Sequence, residues 1–335
     1  MTRTVTILGA GSWGTALAVH LGRLGHDVRL WARDQALVAD MSSRRANAVY
    51  LPDVHVPDTV TVTHALADAL RDAELVVSAI PSHGCRSVIR TAAPFLAPRA
   101  VIVSATKGIE AGTMLRMSEV IAQEVGGAHR IVVLSGPSFA IEVARQLPTA
   151  ILAASAHAGA IELVQEEFRG PALRLYGSDD VVGVEIGGAM KNIIAIAAGV
   201  VEGLGLGHNA LAALITRGLA ELTRLACAVG GRRDTLAGLS GLGDLVLTCT
   251  GTLSRNRHVG VELARGRTLP EILAGMKMVA EGVITTGAAL ELGARHGVEL
   301  PIATQMDEVL SGRSDVRTAI TALMLRRQRA EAETG

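Results

Sequence analysis

The stretch TVTILGAGSWG, residues 4–14, decides the fold. It opens with Thr4 to Leu8, a run rich in β-branched residues that is typical of a buried strand. Three glycines follow in the spacing G-x-G-x-x-G, and the next segment carries Leu17, Leu21 and Leu24 at helical spacing. Val28 to Trp31 is again β-like. A strand, a glycine-rich turn, a helix and a second strand together predict a βαβ unit.

The three glycines have distinct expected roles in such a unit. Gly9 permits the tight turn, Gly11 lets the backbone approach a pyrophosphate, and Gly14 allows the helix to pack closely on the strand. The N–H groups at the start of the helix face the anion. We therefore predict dinucleotide binding; the alternative is a glycine-rich turn without a ligand.

More strand-like runs follow, most of them separated by helical patterns, and this alternation favours a mostly parallel sheet covered on both faces. From about Val184 the apolar period changes to 3.6 and no strand is expected. The sequence predicts an α/β, doubly wound Rossmann-type domain over residues 1–183 and an all-helical domain over 184–335. The further predicted strands are Thr59–Thr63, Leu75–Ile80, Val101–Ser104, Ile131–Leu134, Ala150–Ala153 and Leu173–Tyr176.

Composition narrows the class of protein. A length of 335 residues suits two domains, and 32 basic residues balance 32 acidic ones without a basic patch, so we expect no nucleic-acid partner. The apolar runs look too short to cross a bilayer, and no secretory leader is recognisable. Three scattered cysteines fit a reducing compartment and no zinc site. We expect a soluble, cytoplasmic chain.

The end of the second strand bears on coenzyme choice. An acidic residue at this point usually binds the ribose hydroxyls of NAD, but here Arg33 precedes Asp34. An arginine can stack on adenine and pair with a 2′-phosphate, which favours NADP(H), while Asp34 leaves NAD(H) open. A solvated surface pair of the two side chains is the alternative without function.

Small and polar residues follow three of the predicted strands, as Pro81-Ser82-His83, as Ala105-Thr106-Lys107-Gly108, and as Ser135-Gly136-Pro137-Ser138-Phe139-Ala140. In open α/β sheets ligands bind beyond the carboxyl ends of the strands. We therefore expect Lys107 at the reactive end of the cofactor. Ordinary turn chemistry explains the Gly, Ser and Pro residues equally well when each is taken singly.

Lys191 is one of only three lysines in the chain, and it lies in the apolar stretch EIGGAMKNIIAIAAGVVEG, residues 185–203. A desolvated lysine can lose its proton and act as a base, whereas arginine stays protonated. Its neighbours at helical spacing are small, which leaves room for a ligand or for another helix. The alternative is a lysine that extends its amine to the surface.

Two clusters in the second half, residues 239–245 and 249–257, are predicted to be loops that lead into helices. Ser254, Arg255 and Asn256 combine a hydroxyl, a guanidinium, an amide and helix N–H groups, which suits a phosphate ester. The alternative is Ser254 as a helix cap with surface arginines behind it. Asp244, in LSGLGDL, residues 239–245, could likewise be only a cap.

Together these motifs resemble those of the bacterial NAD(P)-dependent glycerol-3-phosphate dehydrogenases, in the same order and over essentially the whole chain. The motifs are GAGSWGTALA, the P-S-H loop, SATKG, SGPSFA, GGAMKN, GLGDLVLTCT, SRNR and VAEG. The resemblance implies reversible reduction of dihydroxyacetone phosphate to sn-glycerol 3-phosphate for glycerophospholipid synthesis. It also implies a homodimer and no metal, and the short apolar runs predict no membrane partner.

The resemblance implies roles for individual residues. Lys191 matches the family's proton acceptor, and Lys107 matches a residue shared by cofactor and substrate. The substrate positions match Gly136, Ser138, Asp244, Ser254, Arg255 and Asn256. The cofactor positions match Ser12, Trp13, Arg33, Ala140, Arg255, Val279 and Glu281, beside the turn glycines Gly9, Gly11 and Gly14.

Three other functions compete with this interpretation. A reductase of another small hydroxy or keto acid also places a lysine on the first helix after its Rossmann domain, but such sites bind carboxylates. A non-catalytic dinucleotide sensor would have no use for Lys191 and Asp244. A methyltransferase also uses a glycine loop, but the long helical second half fits it poorly.

Overall fold

The computed structural model describes residues 2–328 and 330. These residues divide into two compact units. One unit comprises 2–107 and 115–185, and the other comprises 108–114 and 186 onward. The segment 108–114 thus belongs with the second unit, although it lies inside the predicted first domain. Met1, Arg329 and 331–335, the ends of the two predicted domains included, lie outside the described residues.

The first unit is built on an eight-stranded sheet in the order β10-β9-β8-β7-β6-β1-β2-β5. All pairs are parallel except β8 with β9. A separate two-stranded antiparallel sheet, β3 with β4, was not predicted. The strands are β1 Thr4–Leu8, β2 Asp27–Trp31, β3 Ala46–Asn47, β4 Leu51–His55, β5 Val60–Thr63, β6 Leu75–Ser78, β7 Val101–Ser104, β8 Ile131–Ser135, β9 Thr149–Ala154 and β10 Leu173–Ser178.

Helices cover both faces of this sheet. Alternate residues of β1 face opposite sides: Ile7 packs with residues of α1 and α7, whereas Leu8 packs with residues of α4 and α5. The predicted doubly wound α/β arrangement is therefore confirmed. The helices up to residue 168 are α1 Ser12–Arg23, α2 Gln35–Arg44, α3 Leu66–Leu70, α4 Ser82–Ala92, α5 Met117–Val125, α6 Ala140–Ala144 and α7 Ala158–Phe168.

The second half contains helices and no strand among the described residues, as predicted. Its expected loop at 239–243 is instead a π-helical turn that leads directly into α11. The helices are α8 Val181–Gly203, α9 Gly207–Ala228, α10 Arg233–Ala237, α11 Asp244–Thr250, α12 Arg255–Ala264, α13 Leu269–Ala274, α14 Glu281–Arg295, α15 Pro301–Leu310 and α16 Val316–Met324.

Helix α8 has 23 residues and is long and apolar enough to cross a membrane, so the expectation that every apolar run is too short is wrong. However, 89% of its most apolar 18-residue stretch is buried inside the protein. The apolar side chains therefore form a protein core, as expected when a helix is apolar on all sides.

Glycines on α8 bring other backbone segments close. A Cβ at Gly187 would lie 2.7 Å from the carbonyl oxygen of Ser240. A Cβ at Gly199 would overlap the carbonyl oxygen of Arg257 in α12, and one at Gly260 would overlap the carbonyl oxygen of Ile196. Helices α8 and α12 thus cross with their backbones in contact. Of the small neighbours predicted around Lys191, Gly187 admits the π-helical turn 239–243, whereas the contact with α12 is made at Gly199.

Candidate active site

The glycine turn between β1 and α1 has the geometry that a dinucleotide fingerprint requires. Gly9 has a positive φ of 111°, and a Cβ there would lie 2.8 Å from the carbonyl oxygen of Ala79. A Cβ at Gly14 would overlap the carbonyl oxygen of Gly9, whereas one at Gly11 would meet no atom within 4 Å. Backbone atoms therefore leave no room for a side chain at Gly9 and Gly14, whereas Gly11 faces open space, which fits the approach of a pyrophosphate.

Asn47 supports this turn, and sequence reasoning missed it. Its buried amide nitrogen donates to the carbonyl oxygen of Ala10 and to the hydroxyl of Thr15, both at 2.9 Å. Its amide oxygen accepts from the N–H of Tyr50 at 3.0 Å, and the Ser12 hydroxyl donates to the carbonyl oxygen of Tyr50 at 2.7 Å. The hydrogen bonds of segment 47–50 thus stabilise the glycine turn. No recognisable motif marks this segment in the sequence. Trp13, half-buried, packs against the core beneath the sheet.

Arg33 and Asp34 differ in their structural roles. The Asp34 carboxylate caps helix α2, accepting from the N–H groups of Ala36 at 2.8 Å and Leu37 at 3.2 Å. Arg33 is exposed and, among the described residues, takes part in no ion pair. The alternative of an Arg33–Asp34 surface pair is therefore wrong. Arg33 remains available to a 2′-phosphate.

Lys107 lies near two other predicted substrate residues. Its ammonium donates to the carbonyl oxygen of Gly136 at 3.3 Å, and the Ser138 hydroxyl donates to the same oxygen at 3.0 Å. Gly136 has a φ of +134°, and a Cβ there would lie 3.0 Å from the Cα of Ile151. Because β7 and β8 are neighbours, the segments after their carboxyl ends meet here. Ala140, half-buried, begins α6 close by in sequence.

The second lysine has polar partners that the sequence did not pair with it. The Lys191 ammonium donates to the Asp244 carboxylate at 2.5 Å and to the Thr248 hydroxyl at 2.7 Å. Lys191 is 7% exposed and Asp244 is 1% exposed, so the amine does not extend to the surface. Asp244 is the first residue of α11 and its carboxylate accepts from the Lys191 ammonium, so the interpretation of Asp244 as only a cap is wrong.

An adjacent carboxylate stabilises the charged form of an amine. The surroundings of Lys191 are therefore less apolar than we expected. Cys249 follows Thr248, and burial raises the pKa of its thiol to about 12. A thiol with that pKa stays protonated, so Cys249 does not supply a nucleophile. Among the described residues no cluster of His, Cys, Asp or Glu could hold a metal ion.

The N-terminus of α12 carries the predicted phosphate residues. The Ser254 hydroxyl caps this helix by accepting from the N–H of Arg257 at 3.2 Å, so the predicted cap is present. A hydroxyl that accepts one hydrogen bond can still donate another. Loss of hydration among neighbouring protein atoms lowers the pKa of the Arg255 guanidinium, and the nearby Glu281 carboxylate acts in the opposite direction. The residue as a whole is nevertheless exposed.

Asn256 joins α12 to the start of α14. Its amide nitrogen donates to the Asn192 amide oxygen at 3.0 Å, and its amide oxygen accepts from the N–H of Gly282 at 2.9 Å. Glu281, next to Gly282, and Val279 are both half-buried at this helix start. Sequence reasoning assigned no role to Gly282 or Thr248. Thr248 lies one helical turn after Asp244 and bonds to it, a spacing that the sequence does show, whereas no spacing joins Gly282 to Asn256.

The structure thus gathers the predicted site residues into two groups, each within one unit. The first contains Gly9, Gly11, Ser12, Trp13, Gly14, Arg33, Lys107, Gly136, Ser138 and Ala140. The second contains Lys191, Asp244, Ser254, Arg255, Asn256, Val279 and Glu281.

Comparison with known proteins identifies the family. The profile described as "NAD-dependent glycerol-3-phosphate dehydrogenase N-terminus" matches residues 4–160, and the corresponding C-terminus profile matches residues 180–321. The chain belongs to the NAD-dependent glycerol-3-phosphate dehydrogenase family. The family expected from the motifs is confirmed.

Two relatives illustrate the likeness. "Glycerol-3-phosphate dehydrogenase [NAD(P)+]" of Koribacter versatilis (strain Ellin345) is 57% identical over 272 residues, which cover 80% of this chain and 81% of that one. The crystal structure of glycerol-3-phosphate dehydrogenase from Coxiella burnetii is 40% identical with a TM-score of 0.94, covering 97% of this chain and 99% of that one.

A more distant structure bears on the competing reductase. A ketopantoate reductase from Ralstonia eutropha JMP134 is 16% identical with a TM-score of 0.59, covering 95% of this chain and 99% of that one. At this identity the likeness shows a shared fold alone. The fold is thus common to reductases of different substrates, and the substrate must be argued from the site.

Proposed function

We propose that this protein is an oxidoreductase that interconverts dihydroxyacetone phosphate and sn-glycerol 3-phosphate with NADP(H) or NAD(H). The observation that carries the proposal is the buried Lys191–Asp244 pair in a chain of this family. A carboxylate and a hydroxyl that accept hydrogen bonds from a buried ammonium fix its orientation, and an ammonium fixed in this way can act as a general acid.

The residues of the glycine turn fit the coenzyme. The open space at Gly11 admits a pyrophosphate beside the N-terminus of α1, and Asn47 keeps the turn in that shape. Arg33, Lys107, Ala140, Arg255, Val279 and Glu281, with Ser12 and Trp13, are the other proposed coenzyme contacts. When bound, the nicotinamide supplies or accepts the hydride at C2 of the substrate.

The protein's own residues manage the proton and the phosphate. During reduction, Lys191 gives a proton to the oxygen on C2, and in the reverse direction its neutral amine removes that proton. Asp244 and Thr248 fix the orientation of the amine by accepting its hydrogen bonds, and Asp244 stabilises the ammonium form. Lys107 stabilises negative charge on the substrate oxygens, with Gly136 and Ser138 beside it.

Ser254, Arg255 and Asn256 bind the phosphate group. The three residues stand at the start of the ten-residue helix α12, where N–H groups and a guanidinium favour an anion. Binding of this remote group orients the reacting carbon. It also distinguishes a phosphate ester from the carboxylate substrates of other reductases.

The test is turnover with chosen substrates. Purified protein is mixed with dihydroxyacetone phosphate and either NADPH or NADH, and the coenzyme absorbance is followed. We expect oxidation of the coenzyme with dihydroxyacetone phosphate and much slower oxidation with ketopantoate. Reduction of ketopantoate but not of dihydroxyacetone phosphate would establish the other reductase, and no turnover with any substrate would favour a sensor.

Finer properties are also proposed. Exposed Arg33 supports a preference for NADP(H), which the ratio of kcat/KM for NADPH and NADH in wild type and Arg33→Ala would measure. We propose a cytoplasmic homodimer, with domains over 1–183 and 184–335, that supplies glycerophospholipid synthesis without a metal, a membrane or a nucleic-acid partner. Sedimentation at several concentrations would test the dimer.

A further inference from the structure

A chain of directed hydrogen bonds joins three elements that carry proposed site residues. The N–H of Gly282 donates to Asn256 Oδ1 at 2.9 Å, and Asn256 Nδ2 donates to Asn192 Oδ1 at 3.0 Å. Asn192 Nδ2 points in turn to the carbonyl oxygen of Gly188 at 3.5 Å. Asn192 is 6% exposed and Asn256 is 7% exposed, so water competes little for these bonds.

The backbone N–H of Gly282 sets the direction of the whole chain. A backbone N–H can only donate, so the carboxamide of Asn256 must turn its oxygen toward Gly282. Its nitrogen then faces Asn192, which must present its own oxygen. The amide nitrogen of Asn256 carries two hydrogens, and Asn192 uses only one of them.

We propose that Gly282 and Asn192 are positioning residues that hold the Asn256 carboxamide with its remaining N–H directed to the substrate phosphate. This inference rests on the proposed function, since Asn256 is a proposed phosphate ligand. The unprotonated oxygens of a phosphate ester dianion only accept hydrogen bonds, so the reversed carboxamide would present its oxygen lone pairs to a dianion. The orientation set by Gly282 therefore converts Asn256 from a repulsive neighbour into a ligand.

The contacts at position 282 also explain why this residue lacks a side chain. A Cβ there would lie 2.6 Å from the backbone oxygen of Asn192 and 2.9 Å from Asn256 Oδ1. The first of these atoms belongs to the backbone of α8 and cannot move freely. A methyl group would therefore displace the first turn of α14 and break the hydrogen bond to Asn256.

Gly282→Ala tests the proposal, with Gly287→Ala as its matched control. Both positions are in α14, but a Cβ at Gly287 would meet no atom within 4 Å. We expect Gly282→Ala to raise both KM for dihydroxyacetone phosphate and Kd for inorganic phosphate about tenfold, as for a lost hydrogen bond to a charged group. The kcat/KM for dihydroxyacetone, which lacks the phosphate, should change no more than in the control.

A double-mutant cycle separates positioning from general damage. Because Gly282 acts through Asn256, the effect of Gly282→Ala on phosphate binding should largely disappear in an Asn256→Ala background. An undiminished effect in that background, or equal losses with both substrates, would overturn the proposal. Phosphate binding equal to that of Gly287→Ala would also overturn it.

Asn192→Ala supplies an independent test if Gly282→Ala does not fold. It removes the acceptor on the other side of the carboxamide without adding an atom, and we expect weaker phosphate binding with unchanged kcat/KM for dihydroxyacetone. Unchanged phosphate binding would overturn the proposal. Phosphate affinity is measured by calorimetry and needs no turnover. If the wild type failed to reduce dihydroxyacetone phosphate, the proposed function would be refuted. The comparison of phosphate affinity between wild type and variants would still test the positioning of Asn256.

Discussion

The Lys191 ammonium lies 2.5 Å from the Asp244 carboxylate, although the two residues are 53 positions apart in the chain. The pair is buried and is completed by the Thr248 hydroxyl. A charge removed from water in this way is stable only with a partner of good geometry. The two partners therefore fix the direction of the amine, which in the proposed mechanism gives its proton to a substrate oxygen.

Lys191→Arg keeps the charge and removes the ability to lose a proton. We expect kcat for dihydroxyacetone phosphate reduction to fall at least about a hundredfold, the usual contribution of a positioned acid or base. Thermal unfolding should confirm that the variant is folded. A wild-type rate would show that another group supplies the proton.

Arg255→Ala removes the proposed phosphate guanidinium. We expect KM for dihydroxyacetone phosphate to rise about 10- to 100-fold, since a hydrogen bond between charged groups is lost. Arg257→Ala is the matched control: it removes the same charge from the same helix, but Arg257 pairs with Glu202. Equal effects of the two substitutions on KM would mean that only the overall charge matters.

Gly11→Ala and Gly14→Ala should separate coenzyme binding from folding. At Gly14 a methyl group overlaps the backbone of Gly9, and we expect the free energy of unfolding to fall by about 1–3 kcal/mol or more. At Gly11 it meets open space, so stability should hold while KM for the coenzyme rises. Denaturant unfolding and coenzyme titration measure the two effects. Unchanged coenzyme binding in Gly11→Ala would place the pyrophosphate elsewhere.

Gly199→Ala should force α8 and α12 apart. The methyl group would overlap the carbonyl oxygen of Arg257, and we expect a loss of about 1–3 kcal/mol or more in the free energy of unfolding. Gly287→Ala should instead leave stability unchanged or raise it by up to about 1 kcal/mol, because alanine favours a helix. Equal melting temperatures of Gly199→Ala and wild type would contradict the backbone contact.

Glu221 should make stability depend on pH. The residue is 2% exposed, its carboxylate accepts from the N–H of Ile302 at 2.7 Å, and burial raises its pKa from 4.5 to about 7. A raised folded pKa stabilises the protein below pH 4.5, and this stabilisation is lost as the pH rises through about 7. Glu221→Gln does not titrate, so wild type should lose stability relative to it across that range. Parallel pH profiles in denaturant unfolding would contradict the raised pKa.

Much of the first unit could be predicted from sequence, because buried parallel strands are continuous apolar runs. Thr4–Leu8 and Val101–Ser104 were predicted with their observed bounds. The strand from Leu75 ends at Ser78 and not at Ile80. Strand β4 was missed because Pro52 and Asp53, with a φ of +63° at Asp53, interrupt the apolar pattern.

The side-chain pairings of the second unit could not be predicted in the same way. Sequence reasoning selected Lys191 because a lone amine in an apolar helix is costly, and it assigned Asp244 to the substrate only through the family motif. Their contact depends on how α8 packs against α11, which local periodicity does not encode. The hydrogen bonds of Asn256 depend equally on tertiary packing, and so does the support that Asn47 gives to the glycine turn.

Asp34 has a consequence for redesign of coenzyme preference. Its carboxylate caps the first turn of α2, so exchanging it for a residue that tolerates a 2′-phosphate would also destabilise the start of this helix. Among the described residues, the neighbouring Arg33 caps no helix and takes part in no ion pair. A redesign of this enzyme for NAD(H) or NADP(H) should therefore begin at position 33 and retain the aspartate at position 34.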